Sequence, residues 1–181
     1  FNMVGLKSDG TVVWGPVAPT GLKDVKSIAT GAGHTLALRN NGTVIAWGSN
    51  DFGQTLIPND LNGVIAIEAR DKCSMALKSD GTVVAWGDNT HGQSSVPAGL
   101  TNVISISIGA KFAVALKSDG TVTAWGSNAN DRINVPVGLS NVIAISAGGT
   151  FTSGHTLALK SDGTVVAWGA NVNGQSNVPS D

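Results

Sequence analysis

Lys78-Ser79-Asp80-Gly81-Thr82-Val83-Val84-Ala85-Trp86-Gly87 decides the fold, because the chain carries five versions of it. The others lie at residues 7–15, 39–48, 117–126 and 160–169, and each ends on a tryptophan followed by glycine: Trp14, Trp47, Trp125 and Trp168. An Asp-Gly or Asn-Gly step between apolar runs is a strong local hairpin signal, since glycine accepts the positive φ that the reversal needs. Working outward, the tryptophans are spaced by 33, 39, 39 and 43 residues, and Pro19, Pro58, Pro97, Pro136 and Pro179 by 39, 39, 39 and 43. A period of that size marks an array of repeated units and not a single mixed domain. The short first tryptophan interval comes from a trimmed loop before Pro19. The long last one comes from an insertion near Gly149 to Ser153.

Each unit holds three strand-like segments, in the third unit Val64-Ile65-Ala66-Ile67, Ser74-Met75-Ala76-Leu77 and Thr82-Val83-Val84-Ala85-Trp86. No helical period competes. The segments are apolar on both faces, as in Leu157-Ala158-Leu159, so each small sheet must be covered on both sides. Small residues (Ala46, Ala85, Ala124, Ala167) beside a bulky Trp suit sheets that interdigitate about 10 Å apart. The expected fold is all-β: a β-propeller of mainly three-stranded antiparallel blades, one repeat domain over residues 1–181, incomplete at both ends. A β-solenoid is the rival, but its coils are shorter and need no hairpin in every repeat.

Composition narrows the function. Of 181 residues 41% are hydrophobic, which suits a packed globular chain. Eleven Lys and Arg against twelve Asp and Glu give a net charge of -1, so no basic field holds a nucleic acid. No apolar run approaches the roughly 20 residues of a membrane span, and membrane insertion is not expected. Cys73 is the single cysteine and fits either a reducing compartment or a secreted bacterial protein. The chain has neither an initiator Met nor a signal-peptide pattern at Phe1, as expected of a processed or excised segment.

His34-Thr35-Leu36-Ala37-Leu38, Asn41-Gly42-Thr43-Val44-Ile45-Ala46-Trp47-Gly48, Asn50 and Gly53-Gln54 together resemble the regulator-of-chromosome-condensation repeat. With Asn89, Gly92-Gln93, Val96-Pro97 and Asn102-Val103 the units are more similar to the compact bacterial type, which includes the propeller-type β-lactamase inhibitory protein. The resemblance covers nearly the whole chain and implies a seven-bladed ring. It leaves function open among exchange factors, inhibitors and adhesins. The long repeats and partner-engaging wedge of the nuclear exchange factors have no counterpart here.

Strand parity assigns the Asp-Gly hairpins to one end of the sheets and the loops before His34, Cys73, Phe112 and His155, with those after each Trp-Gly, to the other. The hairpins are nearly identical among units. The opposite loops diverge, and they carry the candidate binding residues: Asp51, Phe52, Arg70, Asp71, Lys72, Thr90, His91, Lys111, Phe112, Asn130, Asp131, Arg132, Phe151 and Asn173. Aromatics beside charges suit a protein interface, with Phe52, Phe112 and Arg132 as expected anchors.

Signals for chemistry are weak. The tryptophans share one strand position and read as core. His34, His91 and His155 lack metal-ligand spacing. Asp9, Asp80, Asp119 and Asp162 each precede a turn glycine, and Cys73 has no neighbouring base in sequence. We expect a binding module and not an enzyme, with no cofactor and no metal. Its partner is a protein of unknown identity, and its location the exterior or surface of a bacterial cell. A β-lactamase-inhibitor-like protein and an exchange-factor-like nuclear regulator are the alternatives. The first unit shows only its second and third segments, around Met3 to Leu6 and Thr11 to Trp14, and the chain stops two residues after Pro179. These residues are therefore expected to form an open arc, part of a larger propeller of seven units (273 residues at 39 each) or one that self-assembles through open blade ends.

Overall fold

A computed structural model describes residues 4–13, 19 and 21–179. Five antiparallel sheets follow one another along the chain, all of them up-and-down meanders. The first has two strands, β1 (Gly5–Leu6) and β2 (Val12–Val13). The second contains β3 (Val25–Thr30), β4 (His34–Arg39) and β5 (Val44–Gly48), and the third β6 (Val64–Arg70), β7 (Cys73–Lys78) and β8 (Val83–Gly87). The fourth is β9 (Val103–Gly109), β10 (Phe112–Lys117) and β11 (Val122–Gly126), the fifth β12 (Val142–Gly148), β13 (His155–Lys160) and β14 (Val165–Gly169). The one helical element among the described residues is a single 3₁₀ turn, Ala129–Asp131. The expected all-β, three-stranded blade architecture is what forms.

The hairpins explain why Asp-Gly recurs. Around residue 80 the Gly81 N–H returns to the Lys78 carbonyl at 3.0 Å, and Lys78 N–H bonds the Thr82 carbonyl at 2.9 Å. Gly81 has φ +79 while Asp80 stays on the negative side, so a single left-handed residue completes the reversal. Asp80 Oδ1 accepts from both the amide and the hydroxyl of Thr82, at 2.9 and 2.6 Å, which fixes the Asp-Gly-Thr order. The Trp-Gly step has another cause. Gly87 has φ +97, and a Cβ there would lie 2.4 Å from the Lys72 carbonyl oxygen, so no side chain fits between the end of β8 and the start of β7.

Stacking of consecutive sheets supplies the core. In β4, Leu36 and Leu38 point forward to the third sheet, into a cluster with Val64, Ile67, Ala76 and Trp86, while Ala37 points back and packs with Leu6, Val12 and Trp47. The same alternation places Met75 and Leu77 against Ile106, Ile108 and Trp125, and Leu116 against Ala158 and Trp168. Trp86, Trp125 and Trp168 are 5–7% exposed, Trp47 is half-buried, and Trp14 lies outside the described residues. The first strands β3, β6, β9 and β12 pack side by side from sheet to sheet. The remaining strands fan away from that inner row.

Candidate functional site

Divergent loops gather at the end opposite the hairpins, on a shared frame. Following Trp47-Gly48, Trp86-Gly87 and Trp168-Gly169, a glutamine side chain accepts an amide two residues before it: Gln54 Oε1 from Phe52, Gln93 Oε1 from His91, Gln175 Oε1 from Asn173, each at 2.8–2.9 Å. Asn50, Asn89 and Asn171 accept the amides of Thr55, Ser94 and Ser176 at 3.0 Å. These Asn and Gln residues hold the loop backbone, and the variable residues between them face solvent.

The fourth loop departs from the pattern. Asp131-Arg132 stands where the other units have Gly-Gln, and Asn130 and Asp131 adopt φ +60 and +57, a strained region for non-glycine residues. Arg132 is fully buried. Its guanidinium donates to three backbone carbonyls, Ala129 at 2.6 Å, Ala110 at 3.0 Å and Phe151, and lies 5.6 and 5.7 Å from the rings of Phe112 and Phe151. Burial also pushes its pKa down. The binding surface expected from the sequence therefore needs two corrections. Arg132 and Phe112, both 0% exposed, are core residues that offer nothing to a partner in this structure. The physical reason is the shared frame: the equivalent residues His34 and Cys73, and Gln54 and Gln93, are buried too, and in the fourth unit residues 149–154 of the fifth-unit insertion lie against both side chains in addition.

Four residues hold that strap. Arg70 Nη2 donates to the Gly149 carbonyl at 2.7 Å and Asn130 Nδ2 to the Thr152 carbonyl at 2.9 Å. Arg132 binds the Phe151 carbonyl, and the His91 ring meets the Phe151 ring edge-on at 5.3 Å. Arg70 and His91 belong to the third unit, so the strap spans a whole sheet. Phe151 still exposes 48% of its surface. Beside this group, Lys72 Nζ sits 3.9 Å above the Phe52 ring, which is 41% exposed. Lys111 pairs with Asp88, a partner absent from the sequence candidates. Burial raises the Asp88 pKa, but hydrogen bonds from Lys111 and Thr90 outweigh it and hold the carboxyl at about 2.

The rest of the candidate set is dispersed. Asp51 accepts a 3.2 Å bond from the Ser49 hydroxyl, and Asp131 a 2.8 Å bond from the Asn134 amide. The Asp71 carbonyl receives the Ala32 amide, and Thr90 Oγ1 lies 2.9 Å from His91 Nδ1. Asn173 is exposed on the last loop, where the neighbouring Val172 is 84% exposed. Beneath the loops of this end, His34 is buried. Ser74 Oγ donates to the Gln54 carbonyl, so His34 Nε2 is the donor to Ser74 Oγ at 2.9 Å, and burial depresses its pKa. Burial pushes the Cys73 thiol up, and Ser94 Oγ lies 3.3 Å from it. Neither group faces an open cleft.

Comparison with known proteins places this geometry. The repeat described as "Regulator of chromosome condensation (RCC1) repeat" matches residues 25–54, 72–93, 103–132 and 142–175. No curated protein matches the chain. Among solved structures the chain is similar to Prp20p from Saccharomyces cerevisiae, at 26% identity and a TM-score of 0.72, over 95% of this chain and 50% of that one. It is similar in fold to the ectodomain of the receptor kinase CR4 from Physcomitrella patens, at 24% identity and a TM-score of 0.75, over 97% of this chain and 51% of that one. The chain thus spans about half the length of each. With four matched repeats over most of its length, the chain belongs to the regulator of chromosome condensation (RCC1) repeat family.

Proposed function

We propose that the chain is a protein-interaction module that meets its partner through the loop end, around the strap and the two aromatic pairs it exposes. The carrying observation is the fixed presentation of Phe151. A half-exposed aromatic on a loop tied down by Arg70, Asn130, Arg132 and His91 costs little further entropy on binding, and such preorganised aromatic anchors dominate interface energies. Phe52 under Lys72 supplies a second anchor at the same end. What is known of the relatives supports the reading. The Prp20p work concerns its binding to Gsp1p and histones, and another structure has Kap60 bound to yeast RCC1 (Prp20).

Binding, and not catalysis, is the role we assign, in a protein secreted by or displayed on a bacterial cell. Two narrower readings compete: inhibition of a β-lactamase through the loop end, and nucleotide exchange of the kind suggested by the Prp20p likeness. A capture experiment separates them. The immobilised chain is offered extracellular bacterial proteins, class A β-lactamases and small GTPases, alongside a variant with Phe151→Ala and His91→Ala. Loss of the captured partner in that variant, with retention in a Ser79→Ala and Ser118→Ala hairpin control, is the expected outcome. Each anchor removed should cost about 1–3 kcal/mol of binding. Equal losses in the hairpin control would overturn the assignment of the loop end.

A further inference from the structure

Glycine follows asparagine or aspartate at seven steps of this chain. Such a step is open to cyclisation, because the glycine nitrogen, once it has lost its proton, attacks the carbonyl carbon of the preceding side chain and no side chain of its own blocks the approach. At an asparagine a bond forms between that nitrogen and Cγ, the Cγ–Nδ2 bond breaks, and Nδ2 leaves as ammonia with a proton equivalent to the one the glycine gave up. Water then opens the five-membered imide at one of its two carbonyls. The products are aspartate, or isoaspartate in which the main chain runs through the side-chain carbon.

At six of the seven steps the fold withholds the attacking nitrogen. The hairpin glycines Gly10, Gly42, Gly81, Gly120 and Gly163 each donate to the carbonyl three residues earlier at 3.0 Å, and Gly174 donates to Asn171 at 3.2 Å. In the Asn41-Gly42 hairpin the side chain is held as well, since Asn41 Oδ1 accepts the amide and the hydroxyl of Thr43 at 3.1 and 2.8 Å. Gly63 is the exception: its N–H meets no acceptor among the described residues, and both Asn62 and Gly63 are exposed. A single bond engages the Asn62 side chain, from Nδ2 to the Asp60 carbonyl at 2.8 Å. The exception is specific to the third unit. Before the first strand, the second, fourth and fifth units place Asp24, Asn102 and Asn141 in the left-handed region at φ +57 to +60, and each is followed by valine. The third unit fills that position with Gly63, at φ +63, and sets an asparagine in front of it.

We propose that Asn62 is a site of spontaneous deamidation whose isoaspartate product loosens the junction between the second and third sheets. The junction hangs on the adjoining backbone. The Gly63 carbonyl accepts the Ser79 amide of the third-sheet hairpin at 2.9 Å, and the next amide, of Val64, donates to the Gly42 carbonyl of the second-sheet hairpin at 3.3 Å. An isoaspartyl link lengthens the main chain by one carbon immediately before both groups and sets a new negative charge two residues from Asp60. These bonds lie at the hairpin end, so capture of a partner through Phe151 at the loop end is a separate readout.

The test incubates the 181-residue chain in warm, mildly alkaline buffer and follows each Asn-Gly peptide by mass spectrometry, with isoaspartate separated from aspartate by chromatography. A hydrogen-bonded amide must open before it loses its proton, so Asn62 should convert at least about tenfold faster than Asn41, and ahead of Asn173. In urea, where those bonds are gone, the lead of Asn62 should collapse. Gly63→Asn, the residue that the fourth and fifth units carry at this position, should slow conversion of Asn62 at least about tenfold, because a side chain then stands on the attacking residue. In the converted chain the Ser79 and Val64 amides should exchange faster while those of β10 do not change. Conversion led by Asn41 or Asn173 in the native chain would overturn the proposal, as would a lead of Asn62 that is equally large in urea, since local sequence and not the fold would then set the order. Unchanged exchange at Ser79 and Val64 after conversion would overturn the loosening of the junction.

Discussion

The indole Nε1 of Trp86 donates to the main-chain carbonyl of Gln54, 32 residues earlier and in the preceding unit, at 2.9 Å. That carbonyl also accepts the Ser74 hydroxyl at 2.8 Å. The equivalent Gln93 carbonyl receives only Trp125 among the described residues. Trp86, Trp125 and Trp168 thus do two jobs, filling the space between sheets and tying their sheets to a loop of the preceding unit.

Trp86→Ala should therefore cost about 3–5 kcal/mol, the usual range for emptying a large buried aromatic site. Phenylalanine substitutions isolate the hydrogen bond. Trp86→Phe leaves the Gln54 carbonyl paired with Ser74, while Trp125→Phe strands a buried acceptor and should cost about 1–3 kcal/mol more than the loss of contact area alone. Urea unfolding of the two variants checks this, and equal midpoints would contradict it.

Arg132 and Phe112 should behave as structural residues. Arg132→Gln restores the side chain that the other units carry, yet it cannot reach the carbonyls of Ala110 and Phe151 together. The expected result is faster amide exchange across residues 149–154 and a stability loss of about 1–3 kcal/mol from unpaired acceptors. Phe112→Ala should lower stability by about 3–5 kcal/mol. Exchange measured by mass spectrometry reads the first effect and denaturant titration the second.

The hairpin carboxylates give a pH signature. Hydrogen bonds from the Thr82 hydroxyl and amide, then from Lys78, lower Asp80 from 3.8 to about 2, and Thr121 with Lys117 does the same for Asp119. Because the folded values are depressed, the stability they contribute is present above pH 3.8 and is lost as pH falls through about 2. Carboxyl carbon shifts followed by NMR should show both midpoints near 2. Thr82→Val should return Asp80 toward 3.8 and leave Asp119 where it was.

Cys73 should be inert in the native state. The side chain is 4% exposed, and burial disfavours the reactive thiolate. A thiol reagent should label it only as fast as the third sheet opens, so labelling should accelerate with urea. Immediate stoichiometric reaction at neutral pH would show that the thiol is accessible.

The amino-acid sequence by itself determined the period, the three strands per unit and the hairpin ends. Each rests on local chemistry: a left-handed glycine after Asp or Asn, and alternating side chains that an apolar strand must cover on both faces. It also placed Trp86, Trp125 and Trp168 in the core, because one strand position repeated between stacked sheets meets the same surroundings. Which loop residues reach solvent was not legible in that way. Phe112 and Arg132 sit among variable loop positions in the sequence, yet their repeat equivalents His34 and Cys73, and Gln54 and Gln93, are buried as well, a burial that the stacking of consecutive sheets sets. Likewise Arg70 and Gly149 are 79 residues apart and meet only because the stacking of three sheets brings their loops together. Repeat spacing encodes what each unit does to itself and its neighbour; contacts that skip a unit depend on the angle and order of the stack, which tertiary packing alone sets.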